Sequence, residues 1–256
     1  MKPIRLFWDL ANRFVAAVAL ILLSPVLLVV AVWIRVADGP GILFVQDRAG
    51  LGGRPFRMLK FRSMVHDSVA MSSGLGISDP FGLVENDPRI TACGRFLRRT
   101  SLDELPQLFN VLAGQMLLVG PRPDVLPQVA NYSPIDARRL EVKPGITGWA
   151  QVNGRDDIDW PQRFILDRWY VDNWSPALDL RIVWRTFADL RRGEPPVHVD
   201  TLNIERAQPA DAMPVPDGDT VPLSIPAQTR SSNERRWDEE PVRGGGDRSR
   251  DASRAA

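Results

Sequence analysis

Phe14–Ile34 reads FVAAVALILLSPVLLVVAVWI, 21 residues without a charge, bounded by Arg13 and Arg35. As a helix this stretch is about 31 Å long, close to the roughly 30 Å hydrocarbon core of a bilayer. It is too long for the apolar region of a signal peptide and is followed by no small-residue cleavage site, so it is read as a retained membrane element. Ser24-Pro25 lies at its middle. Proline removes a backbone donor and clashes with the preceding turn, so a kink is expected there. Cations flank both ends, with Lys2, Arg5 and Arg13 before it and Arg35 and Arg48 after it, so the positive-inside rule gives no orientation. Hydropathy alone favours a spanning helix, because membrane helices tolerate proline. A helical hairpin that enters and leaves on one side is the second reading.

Working outward, Ile42–Arg48 (ILFVQDR) and Arg54–Met64 (RPFRMLKFRSM) read as two short strands joined through AGLGG. Side chains alternate along a strand, so Phe56, Met58, Lys60 and Arg62 share one face and Lys60 and Arg62 form a two-cation step. Gly50, Gly52 and Gly53 read as a hairpin turn and not a nucleotide fingerprint, since no clear helix follows them. Ser68–Pro88 is rich in Ser, Gly, Asp and Pro and reads as an irregular surface loop or a lid. Thr91–Leu112 has helical character in two pieces, broken near Thr100–Pro106. Met116–Gly120 (MLLVG) is a short buried strand leading into Pro121-Arg122-Pro123, and Lys143–Arg155 (KPGITGWAQVNGR) combines turns with another short strand. From Trp160 to Leu190 the pattern is amphipathic helix. Trp160, Trp169, Trp174 and Trp184 alternate with Arg163, Arg168, Arg181 and Arg185, a composition suited to a bilayer interface or to the domain core. Beyond Gln208 apolar periodicity vanishes and the tail reads as disordered. The fold class is therefore α+β and mainly helical. It divides into a membrane helix or hairpin over 1–36, a catalytic domain over 37–207 and a tail over 208–256.

Net charge is +1, which gives no global field for nucleic acid, and none is expected as a partner. The cations are clustered, however. Arg35, Arg48, Arg54, Arg57, Lys60 and Arg62 face only Asp38 and Asp47 in the first segment after the helix, and Arg89, Arg95, Arg98 and Arg99 follow without an acid between them. Such a basic half suits an anionic ligand or membrane lipids. Cys93 is the single cysteine, which rules out an internal disulfide, and His66 and His198 are the only histidines. A histidine-rich metal site and a serine–histidine triad are both disfavoured. Carboxylates and cations must carry the chemistry.

Thr100–Asn110 (TSLDELPQLFN) sets Asp103 beside Glu104 directly after the basic run GRFLRRT. Ser101 to Glu104 matches a capping box, with Ser101 as N-cap and Glu104 at N3. Pro106 fits that register poorly. A helix with Pro106 at N1 is locally easier and leaves both acids in the preceding turn.

KFRSM (Lys60–Met64), GRFLRRTSLDELPQLFNVLAG (Gly94–Gly114), VGPRP (Val119–Pro123) and KPGITGWAQVNGR (Lys143–Arg155), in that order, resemble the bacterial sugar transferase family, in its small monotopic phosphoglycosyltransferase form. The resemblance implies transfer of a sugar-1-phosphate from a UDP-sugar to a polyprenyl (undecaprenyl) phosphate. Asp103 would be the nucleophile on the β-phosphate and a Mg2+ ligand, Glu104 its partner, and UMP the product. Arg98 and Arg122 match the family's phosphate- and nucleotide-binding cations, while Lys60 and Arg62 fall in another of its motifs. It also implies a re-entrant helix broken at the Ser24-Pro25 pair, reversing the preference from hydropathy. The expected location is the bacterial inner membrane with the domain on the cytoplasmic face, at the first step of polysaccharide or glycoconjugate assembly. A homo-oligomer is compatible with this reading. Gln115 and Leu117 depart from the family's usual Asp and Ser, which puts local turn hydrogen bonds in question. Cys93 falls outside the motifs and reads as a packed thiol.

Electrostatics sets the demand on such a site. A carboxylate approaching a diphosphate at about 4 Å meets roughly 4 kcal/mol of unit-charge repulsion at an effective dielectric of 20. Nearby cations or a metal must offset it. The competing reading is a conventional metal-dependent nucleotide-sugar glycosyltransferase releasing UDP, with Asp157-Ile158-Asp159 as its metal-binding D-x-D. A non-catalytic membrane scaffold accounts for the anchor and tail but not for the dyad and cations together.

Overall fold

The computed structural model describes residues 3–68, 70–71, 87–154 and 158–192. Most of the Ser68–Pro88 segment, Asp157, the end of the catalytic domain beyond 192 and the tail read as disordered lie outside the described residues.

Helix α1 (Pro3–Ala37) is 35 residues long and continuous through Pro25. Proline at position 25 deprives the Ile21 carbonyl of its usual donor, and the Ser24 hydroxyl takes that place at 2.8 Å. The ladder thus passes the proline without being divided in two, where a break had been expected. One stripe of α1 faces the domain along its length. Asp9, Asn12, Ala16, Val30 and Ile34 are buried, with Leu20, Leu23 and Leu27 partly buried on the same face. The other faces of the helix expose Phe14, Ile21, Leu22, Leu28, Val29 and Val36.

Strands β1 (Leu43–Ala49) and β2 (Pro55–Phe61) form the expected antiparallel hairpin, with Leu43 opposite Phe61 and Arg48 opposite Phe56. Gly52 and Gly53 both take positive φ in the turn. Helix α2 (Ala92–Thr100) is N-capped by Thr91, whose hydroxyl accepts from the Gly94 N–H. A 3-10 turn over Leu102–Glu104 and helix α3 (Gln107–Leu112) follow. Strand β3 (Leu117–Val119) pairs in parallel with β4 (Gly145–Thr147), and the short helix α4 (Leu126–Val129) lies between them in sequence.

The stretch from Trp160 onward is two helices, α5 (Trp160–Asn173) and α6 (Pro176–Arg192). Asp159 caps α5 by accepting from the Gln162 N–H at 2.8 Å. Helix α5 is a core element, with Leu166, Tyr170 and Val171 buried, which takes the second of the two readings of its composition. Only α6 keeps an exposed apolar stripe, of Leu180, Trp184 and Phe187, opposite its buried Leu178 and Ile182. Asp179 joins α1 to this half of the domain. Its buried carboxylate accepts from the Trp8 indole at 2.7 Å, the Tyr170 hydroxyl at 2.8 Å and the Trp174 indole at 3.2 Å.

Candidate active site

The dyad sits at a sharp corner between α2 and α3. Ser101 ends α2 in the left-handed region, φ 54°, and its N–H returns to the Arg98 carbonyl. It makes no side-chain cap, so the capping box is not formed. Asp103 and Glu104 occupy the turn before α3, in keeping with the proline-led alternative. Asp103 is 7% exposed and Glu104 half-buried.

Asn110 explains why this corner lies against the hairpin. Its side chain mimics a strand peptide along the free edge of β2. The carbonyl accepts from the Leu59 N–H at 3.0 Å, and the amide donates to the Arg57 carbonyl at 2.7 Å. Gln115 accepts from the same amide at 2.8 Å, so the turn that departs from the family pattern is satisfied. On the other edge of the hairpin, the Ala49 N–H donates to the Asp124 carbonyl at 2.9 Å, which draws in the Pro121–Pro123 segment. The dyad, β2 and that segment are thereby held together.

The result is a division of labour between the acids. Lys60 Nζ and Arg122 Nη2 both donate to Glu104 Oε1, at 3.2 and 2.8 Å. Burial acts to raise the Glu104 carboxyl, but the charges and hydrogen bonds of Arg122 and Lys60 outweigh it and hold it well below the usual range. Asp103 differs. Among the described residues its carboxylate accepts no hydrogen bond and joins no ion pair. Burial, and then the Glu104 charge, push its carboxyl above the ordinary 3.8, opposed by Lys60, Arg98 and Arg122. An acid held near three cations and paired with none is free to form a bond.

The other expected cations divide. Arg98, at the end of α2, is exposed and anchored through its Nε to Ser63 Oγ at 2.9 Å. Arg62 is not brought to the dyad. It is buried, and its guanidinium donates to the carbonyls of Asp38, Gly39 and Pro40, closing the turn after α1. The cation step read from strand alternation fails because β2 ends at Phe61. Arg99 is exposed over the Phe96 ring and adds nothing to the dyad's immediate surroundings. Cys93 is packed among Val30, Ile34 and Leu97, as expected, and burial raises its thiol.

Two groups of residues escaped the sequence. Arg139 is buried between Asp124 and Asp167, bonds the Tyr132 hydroxyl and donates to the Arg122 carbonyl at 2.9 Å. It braces the backbone that carries Arg122. Its surroundings in sequence, DARRLE, look like an ordinary charged surface, and nothing local marks it. Arg48 lies beside Arg122, and here a signal existed: in the paired hairpin it shares a face with Lys60.

Among the described residues no three potential metal ligands cluster. Asp103 alone remains available, because Glu104 is taken up by its two cations. Mg2+ is commonly held by one or two carboxylates together with substrate phosphates, so this donor set fits it. Of the D-x-D, Asp159 serves as a helix cap.

A profile of the bacterial sugar transferases matches residues 4–193. The chain is 45% identical over 163 residues to the uncharacterized sugar transferase EpsL of Bacillus subtilis, covering 64% of this chain and 76% of that protein. It is 46% identical over 176 residues to the undecaprenyl-phosphate galactose phosphotransferase of Salmonella typhimurium, covering 65% of this chain and 37% of that protein. It is 44% identical over 183 residues to the UDP-glucose:undecaprenyl-phosphate glucose-1-phosphate transferase of Xanthomonas campestris, covering 68% and 36%. The chain thus spans well under half the length of the latter two proteins.

Proposed function

The chain belongs to the bacterial sugar transferase family, and on that premise we propose that it transfers a sugar-1-phosphate from a UDP-sugar to undecaprenyl phosphate through a covalent intermediate on Asp103. The observation that carries this reading is the contrast within the dyad: Glu104 fixes Lys60 and Arg122, while Asp103 keeps an unpaired carboxylate beside them.

In the first step an Asp103 oxygen bonds to the β-phosphorus as the bond to the bridging oxygen breaks, and UMP leaves with that electron pair. In the second, a phosphate oxygen of the lipid attacks the same phosphorus and releases Asp103. The product is a polyprenyl diphosphate sugar. Lys60, Arg98 and Arg122 hold the phosphates against the incoming carboxylate and offset the repulsion between anions. Glu104 acts by orienting two of those cations. Asp103, together with the substrate phosphates, would hold Mg2+, which would supply further neutralisation of phosphate charge. Because the intermediate is an acyl phosphate, one hard transfer is split into two easier ones.

The same reading places the domain on the cytoplasmic face of the bacterial inner membrane, with α1 entering the bilayer and returning. Support comes from α1 resting on one domain along its whole length, Trp8 against Asp179, Leu20 in the cluster of Leu108 and Ile34 in that of Leu97, so that neither end leaves the domain. The exposed stripe of α6 would lie along the bilayer interface.

Purified protein with Mg2+ and UDP-galactose or UDP-glucose, but no lipid acceptor, is expected to release a burst of UMP no larger than the enzyme concentration. A phosphosugar adduct should accompany it, and Asp103→Asn should abolish both. Release of UDP instead would establish the conventional glycosyltransferase reading.

A further inference from the structure

Arg48 is a further cation beside the site and, like Arg98, is held only by neutral groups. Its Nε and Nη2 donate to Gln46 Oε1 at 3.0 and 2.7 Å, and its Nη1 donates to the Pro123 carbonyl at 3.1 Å. Among the described residues no carboxylate pairs with it, and one N–H on each terminal nitrogen is left over. The side chain is half-buried. Burial first, and then the neighbouring Arg122, pull it down to about 10, so it is still charged at neutral pH.

Arg48 is thus fixed by an amide and a carbonyl where a structural ion pair would use an acid, while Arg122, itself held by Glu104, acts on it as a like charge. That arrangement is unfavourable in the free protein and is relieved by an anion. Arg48 also shares a face of the hairpin with Lys60, opposite Phe56 and four residues along β2 from it. Its surrounding charges include Arg122, Asp124, Glu104 and Lys60. Asp124 is engaged with Arg139. Arg122 therefore links the dyad to Arg48, its guanidinium on Glu104 beside Lys60 and the carbonyl of the next residue, Pro123, bonded to Arg48.

Resting on the proposed reaction, we infer that Arg48, aimed by Gln46, binds the phosphate that is not attacked, the one that departs with the nucleoside as UMP. The attacked phosphate lies between Asp103 and Arg122, and the leaving phosphate continues toward Arg48. Two free N–H groups on a fixed guanidinium suit two oxygens of one phosphate. Gln46 is a positioning residue here, since it touches Arg48 and not the substrate.

The two half-reactions separate this role from a bracket between β1 and the Pro121–Pro123 segment, because UMP has left before the lipid reacts. Arg48→Met is expected to raise the KM for UDP-glucose or UDP-galactose and the Kd for UMP, measured by calorimetry, about ten- to hundredfold. The KM for undecaprenyl phosphate should stay within about twofold of the parent in the same scale. Arg48→Lys should recover part of the loss, and Gln46→Leu should shift the nucleotide constants in the same direction by a smaller factor. If Arg48→Met does not fold, Arg48→Lys and Gln46→Leu decide through the same ratio of constants. An unchanged Kd for UMP, or an equal rise for nucleotide and lipid, overturns the assignment. These outcomes are read only where the parent releases UMP; a parent that releases UDP overturns the reaction itself, which is a separate result.

Discussion

At the scale of single residues, the two acids of the dyad are chemically alike yet placed for different tasks. Removing the charge of Glu104 leaves Lys60 and Arg122 without their shared anchor, while Asp103 stays in place. Glu104→Gln is therefore expected to retain adduct formation but to lower kcat/KM for the UDP-sugar about a hundredfold, as read from initial UMP release. Arg139 poses a different electrostatic problem, since one cation lies between two buried carboxylates and cannot neutralise both. Burial raises Asp167 from 3.8 to about 6. The folded state then binds a proton more tightly than the unfolded state, so this group adds stability that is present below 3.8 and is lost as pH rises through about 6. The apparent Tm of the purified protein should show a component that falls between those values. The same series on Asp167→Asn should lack that component; an identical pH dependence in both proteins would contradict the assignment.

At the scale of elements, α2 and α3 are positioned by close backbone approach and by one asparagine. A Cβ at Gly94 would lie 1.9 Å from the Ser63 carbonyl oxygen, a backbone atom that cannot swing aside. Gly94→Ala is expected to cost about 1–3 kcal/mol, visible as a lower Tm. It should also reduce turnover, because Ser63 anchors Arg98. The helix α1 carries the topological prediction. If it returns to the side it entered from, Ile4→Cys and Arg54→Cys, each in a Cys93→Ala background, should react with an impermeant maleimide from the same side of oriented vesicles. Labelling of the two from opposite sides would establish a spanning helix.

At the scale of the whole molecule, the chain combines an apolar helix, a charged site built from three separate segments and an exposed apolar stripe on its last described helix. Much of this was legible in order along the sequence. The uncharged 21-residue run, the alternation of the hairpin and Pro106 near the start of α3 are local signals, and each specified its element. Motif order identified the family. Of the site, Asp103, Glu104, Lys60, Arg98 and Arg122 are brought together, whereas Arg62 closes a turn and Arg139 proved to be a buried brace. Periodicity reports which way a side chain points within its own element, so it could announce a helix or a strand face without naming what lies opposite. Whether Trp169 meets lipid or Trp149, whether α1 stands apart from the domain or along it, and which carboxylate keeps its cations are questions of contact between segments far apart in the chain. Those were decided by tertiary packing, because the energies involved depend on burial and distance, and neither exists until the segments meet.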